Sequence, residues 1–93
     1  MSEPNSLPPL SIKARLVLDE VELKLRHALS LYPPMHSVHE GYSIILEELD
    51  ELWQEIKLKS LYRSEEKLRK EALQVAAMAV RFILDTLPEG EEF

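Results

Sequence analysis

The stretch Glu47-Glu48-Leu49-Asp50-Glu51-Leu52-Trp53-Gln54-Glu55 is an acidic ridge set in an otherwise apolar helical pattern, and Glu71 falls within the apolar stripe of the next one. Two helices that turn carboxylates toward each other across a small core make a site for a hard divalent cation, which prefers oxygen ligands. Like charges at i,i+3 and i,i+4 repel on a helix. Glu47–Glu51 and Glu51–Glu55 are both such pairs, and no basic residue is spaced within the ridge to relieve them. A buried carboxylate without a partner is costly, so whatever faces Glu71 has to be cationic or share a proton. A divalent ion held jointly with the ridge meets that condition. The plainer readings are a solvated acidic face balanced by Lys57 and Lys59, and for Glu71 an ion pair with Lys67 or with a basic residue of the first helix.

Other chemistry-bearing residues are fewer. His36 and His39 form an i,i+3 pair, but no HExxH and no cysteine completes a zinc set. There is no Glu-x-x-His pair of the di-iron bundle kind. Lys57, Lys59 and Arg63 surround Tyr62 in a basic link that suits either a solvated turn or contact with phosphate. Tyr42 and Trp53 suit a core or an interface. With only Gly41 and Gly90, the chain has no glycine-rich phosphate loop.

Three helical patterns position these groups. The first covers roughly 11–31, with Ile12, Leu16, Val21, Leu25, Ala28 and Leu29 near one side, and Pro33-Pro34 stops it. The second opens at Ser37-Val38-His39-Glu40, which has the spacing of a capping box. Its apolar seam is Val38, Tyr42, Ile45, Leu49, Leu52 and Ile56, at intervals of four and three. Glu48, Glu51 and Glu55 then line one flank of that seam, with Glu47 further out and Asp50 on the other side. The third starts near Ser64, with Glu65 and Glu66 placed where the helix dipole favours anions. Leu68, Val75, Met78, Ala79 and Phe82 make its stripe, which includes Glu71, and Lys67, Gln74, Arg81 and Asp85 share the adjacent flank. Ala72 to Val80 is small or apolar except at Gln74, so this helix needs cover on most sides, and a second subunit is the expected cover.

The 93 residues imply one all-α domain over 11–87, between a proline-rich arm at 1–10 and an acidic tail at 88–93. A chain this short has a thin core. Seventeen acidic residues against 11 basic ones give a net charge of -6, which argues against binding a nucleic-acid polymer. A small phosphate-bearing ligand stays compatible, because a bound cation inverts local electrostatics. No apolar run reaches the ~18 residues that span a bilayer, no basic-then-apolar stretch opens the chain, and cysteine is absent. The expectation is a cytoplasmic protein without membrane partners.

Glu47-Glu48-x-x-Glu51, followed after a basic link by Glu71 in an alanine-rich helix, resembles the MazG-like all-α nucleoside triphosphate pyrophosphohydrolases over residues 37–86. The motif of that superfamily pairs EExxE with ExxD. The first element is intact here, and the second reads Glu71-Ala72-Leu73-Gln74, with glutamine in place of aspartate. The resemblance implies magnesium (manganese as a substitute) held by Glu48, Glu51 and Glu71 with Gln74 in the fourth place, and Glu47 as the acidic residue that orients water. The residues expected to contact a nucleoside triphosphate are those of the basic link, Lys57, Lys59 and Arg63, with Lys67 and His39. The implied reaction releases a nucleoside monophosphate and pyrophosphate, and the implied assembly is a homodimer or homotetramer whose helices join in a bundle. The alternatives are a catalytically weak or inactive relative and a helical-bundle interaction module whose ridge meets a basic partner.

Overall fold

The computed structural model describes residues 7–88; residues 1–6 of the arm expected over 1–10 and residues 89–93 of the tail expected over 88–93 lie outside the described residues. Three α-helices, α1 (Ile12–Leu31), α2 (Val38–Ile56) and α3 (Glu65–Thr86), account for most of it, with one 3-10 turn at Ser60–Tyr62 between α2 and α3. The described residues contain no strand. None of the helices is long and apolar enough to cross a membrane.

Each helix begins where a serine satisfies its orphan amides. Ser11 Oγ accepts from the Ala14 amide at 3.0 Å, Ser37 Oγ from Glu40 at 3.0 Å and Ser64 Oγ from Lys67 at 3.1 Å. The capping box expected at Ser37 closes one residue early, because the Glu40 carboxylate accepts from the amide of His36 instead of that of Ser37. α1 stops at Leu31 because Tyr32 precedes two prolines, and it is extended, with φ −124° and ψ 144°.

α3 is the central element. It packs on both α1 and α2, while α1 and α2 do not pack on each other among the described residues. Pairing of Glu55 with Ser64 and of Met35 with Asp85 runs α2 antiparallel to α3. Pairing of Glu20 with Arg69 and of Ala28 with Arg81 runs α1 parallel to it. The core is small: Ala28, Met35, Ala77 and Met78 are buried, and Val21, Leu25, Ile44, Ile45 and Phe82 pack against them. At Gly41, α2 comes close against α3: a Cβ there would lie 2.5 Å from Phe82 Cδ1.

The seams differ from the expected ones. On α2 the residues turned inward are Gly41, Ile44, Ile45, Glu48, Leu52 and Glu55, whereas Val38, Tyr42, Leu49 and Ile56 are exposed. Ile45 and Leu52 are the expected seam residues that stay inward, and the inward face is turned from the rest toward Glu48 and Glu55. Two glutamates expected on the flank of the seam thus lie within the face that meets α3. On α1, Val21, Leu25 and Ala28 pack as expected, but Ile12, Leu16 and Leu29 are exposed. On α3, Leu68, Val75, Met78 and Phe82 are at least half covered and Ala79 is exposed, while Leu73, Ala77 and Arg81 are buried.

Arg81, expected on a polar flank, is only 4% exposed. Its guanidinium donates to the carbonyls of Ala28 at 2.7 Å and Tyr32 at 2.9 Å, and to Asp85 Oδ2 at 2.8 Å. Asp85 Oδ2 also accepts from the Met35 amide at 2.9 Å. The Ala28 carbonyl also accepts from the Tyr32 amide at 3.0 Å, and through Arg81 the C-terminal end of α1 is tied to α3 and to the link that leads into α2.

Candidate metal centre

Glu48 and Glu51 stand one turn apart on α2, and Glu71 faces them from the antiparallel α3. One carboxylate oxygen from each lies within 4.8 Å of the other two. Oxygen ligands sit about 2.0 to 2.6 Å from magnesium or calcium, so two oxygens on one ion are at most about 4.0 to 5.2 Å apart. The three carboxylate oxygens are close enough for one hard cation to draw together.

Their environments differ. Glu51 is exposed, Glu48 half-buried, and Glu71 only 8% exposed. Among the described residues Glu71 has no ion pair, and its carboxylate accepts no hydrogen bond. The ion pair with Lys67 that would have explained it structurally is not formed. Burial pushes the Glu48 carboxyl above its ordinary value, and the negative charges of Glu51, Glu71 and Glu47 push it further the same way. The donor set therefore fits a divalent cation: all oxygen, crowded, and holding one buried carboxylate that nothing else neutralises.

Glu55 continues the same side of α2 but is not part of the cluster. It is 6% exposed, and its Oε2 accepts from the Ser64 amide at 2.6 Å, closing the link between α2 and α3. Its neighbour in that link, Arg63, donates to the Leu58 carbonyl at 3.1 and 3.2 Å. This pair of contacts braces the turn that holds Glu51 opposite Glu71.

The cluster opens into a cleft of about 300 Å³ between the helices. Glu48, Glu51, Glu71 and Gln74 form one wall, so the glutamine is placed beside the carboxylates as expected. Lys24, His27 and Tyr32 line the α1 side, and Lys70 also borders it. A second hollow of about 320 Å³ shares Tyr32, Glu48 and Gln74 with the first and extends past Pro34, Met35 and Ile44. Glu47 is exposed and borders this second hollow, not the first.

The expected substrate contacts are placed elsewhere. Lys57, Lys59, Arg63, Lys67 and His39 are exposed, and none of them lines either hollow. Arg63 is engaged with Leu58, and the His39 carbonyl accepts from Ser43 Oγ at 3.1 Å. The basic side chains that do border the carboxylate cleft, Lys24, His27 and Lys70, were missed. Lys24 is half-buried beside the Val21–Leu25–Ala28 face of α1. A lysine flanking an apolar seam was the available signal, but its value depends on α1 running parallel to α3.

Comparison of the chain with protein-family models, curated proteins and solved structures returns no significant match.

Proposed function

We propose that the protein is a divalent-metal-dependent nucleoside triphosphate pyrophosphohydrolase of the MazG-like kind. The observation that carries this reading is Glu71, a buried carboxylate with no ion-pair partner among the described residues, whose oxygen lies within 4.8 Å of oxygens from Glu48 and Glu51. Structural carboxylates at such depth are paired. One that faces two further carboxylates supports a cation site better than a packing role.

In this reading Glu48, Glu51 and Glu71 hold magnesium or manganese, and Gln74 adds a neutral amide oxygen. The ion supplies Lewis acidity toward phosphoryl oxygens and a lowered pKa for water. The chain's own groups do the rest. The carboxylates would hold the ion that meets the triphosphate end, and Glu47, which borders the adjoining hollow, would orient a water and receive its proton. Attack forms one P–O bond and breaks the α–β phosphate linkage, whose electron pair leaves with the departing oxygen. Water is consumed, and the products are a nucleoside monophosphate and pyrophosphate. Gln74 favours a second reading, a relative with the same fold and weak turnover, since an amide contributes no charge where magnesium prefers carboxylate.

The active form in this proposal is a homodimer or homotetramer. Tyr42, Leu46, Leu49 and Trp53 make an exposed apolar seam along α2, and Val80, Ile83 and Leu84 are exposed on α3. Apolar surface so arranged is characteristic of interfaces. A helical interaction module would use the same seam, and metal dependence separates the two.

The test is release of pyrophosphate from a panel of standard and modified nucleoside triphosphates with magnesium or manganese. The enzyme reading expects turnover that Glu71→Ala abolishes and Gln74→Asp raises. No pyrophosphate from any triphosphate, including with Gln74→Asp, overturns it.

A further inference from the structure

We infer that Lys24 of α1 and Lys70 of α3 form a polyphosphate-binding wall facing the carboxylate cluster, so that the cleft takes a metal-bound triphosphate between opposite charges. The inference rests on the metal-dependent reading above and assigns the anion contacts that reading lacks.

Charge is the first argument. Three carboxylates against one divalent cation leave one net negative charge, and a site left that way repels a polyanion. Something else in the cleft has to reverse the sign. The ridge contributes no cation, and Lys57, Lys59, Arg63 and Lys67 do not reach the cleft. Lys24 and Lys70 both border it, and their two positive charges turn the metal-loaded cleft net positive.

Availability is the second. Among the described residues neither lysine has an ion-pair partner. If they served to neutralise Glu48, Glu51 or Glu71, they would lie within ion-pair distance of those carboxylates, and they do not. The arginines near them are engaged otherwise: Arg69 with Glu20 at 2.6 Å and Arg26 with Glu22 at 3.5 Å. Lys24 is half-buried and lines the cleft, and a lysine in such a place can pack its aliphatic stem and keep its ammonium in water. Lysine suits the role, being a compact point charge that follows phosphate oxygens without demanding a planar partner.

Architecture is the third. Since α1 and α2 do not pack on each other, the cleft has one wall from α1 and one from α2, with α3 as its floor. The unpaired, buried Glu71 lines that floor, and Lys70 precedes it by one residue. A chain of phosphates laid along the floor meets the cation on one side and ammonium groups on the other.

Two probes test the inference by calorimetry: manganese alone, and the manganese complex of inorganic triphosphate. For Lys24→Gln and Lys70→Gln, manganese binding is expected to stay as tight as in the parent or tighter. Affinity for the complex is expected to fall about tenfold or more, the usual scale for losing a charge-assisted hydrogen bond. Lys24→Arg should keep most of it. Lys13→Gln, which removes an exposed charge from α1 outside the cleft lining, should change nothing. Triphosphate affinity unchanged in both cleft variants overturns the inference, as does an equal loss with Lys13→Gln. Parent protein that binds no manganese but loses triphosphate affinity in the cleft variants leaves the lysine wall standing and defeats the metal reading. Parent protein that binds neither probe defeats both.

Discussion

Arg81 and Asp85, one turn apart on α3, meet at 2.8 Å in a position where the arginine is 4% exposed. The pair does more than cancel charge. Through it the C-terminal carbonyls of α1, the Met35 amide of the connecting link and α3 share one hydrogen-bonded knot.

Removing the arginine leaves the Asp85 carboxylate with the Met35 amide alone and takes the guanidinium donors from the carbonyls of Ala28, which keeps the Tyr32 amide, and Tyr32. Arg81→Met should lower unfolding stability by about 3–5 kcal/mol, the scale for breaking one half of a buried pair. Arg81→Lys should recover little, because an ammonium cannot reproduce the planar fork that meets three acceptors. Denaturant unfolding followed by helical circular dichroism checks both variants. Losses below about 1 kcal/mol, the worth of an ordinary hydrogen bond, would show that the knot is incidental.

Gly41 sets the approach of α2 to α3. Gly41→Ala gains about 1 kcal/mol of helix propensity, but its methyl would sit 2.5 Å from the Phe82 ring. Overpacking of that kind costs about 1–3 kcal/mol. A net loss of stability is expected, and Gly41→Ala combined with Phe82→Leu should recover part of it. A melting temperature for Gly41→Ala at or above the parent's would contradict the close approach.

Glu48 gives the metal-free protein a pH dependence of definite sign. Its folded-state pKa is raised, first by burial and then by Glu51, Glu71 and Glu47, so the folded state holds its proton more tightly than the unfolded one. Stability contributed by this group rises as pH falls through the folded value toward the unfolded value, and above the folded value the charged form is a penalty. Glu48→Gln should therefore melt at or above the parent temperature at neutral pH without metal, with a flatter profile through the acidic range. Added manganese should reverse the order, since a ligand that binds only the folded state stabilises the parent by mass action. Melting curves with and without manganese read both effects, and identical responses in the two proteins would reduce the cluster to a solvated face.

The exposed seam of α2 yields the fourth expectation. Trp53→Glu and Leu49→Glu place charge on apolar surface that the monomer leaves uncovered, so their folds should persist while association is lost. Sedimentation of the parent above the mass of its 10.8 kDa chain and of the variants at it supports the interface. A monomeric parent at micromolar concentration removes the oligomer from the proposal.

The helices were legible in the sequence to within a residue or two because serine caps and prolines act locally. Ser37, Ser64 and Pro33 each do their work within a few positions of themselves. Glu48, Glu51 and Glu71 could be brought together on paper because each repeats at helical spacing on its own element, and the antiparallel return of α3 does the rest. The rotation of α2 could not be read that way. Glu48 and Glu55 face α3 because one joins a carboxylate cluster and the other accepts from Ser64, and both reasons lie on another helix. Arg81 and Lys24 were missed for the same cause. Each looks like an ordinary polar flank residue until α1 is laid parallel to α3.

That parallel placement has a mechanical consequence. All three cluster carboxylates belong to the α2–α3 hairpin, whereas α1 is held by the exposed Glu20–Arg69 pair at one end and the Arg81 knot at the other. Exposed pairs contribute little, so the hold on α1 rests on the Arg81 knot and on the packing of Val21, Leu25 and Ala28. Lys24 belongs to that helix, while Glu48, Glu51 and Glu71 belong to the hairpin. The acidic lining of the cleft and part of its basic lining thus rest on separately fastened segments of chain.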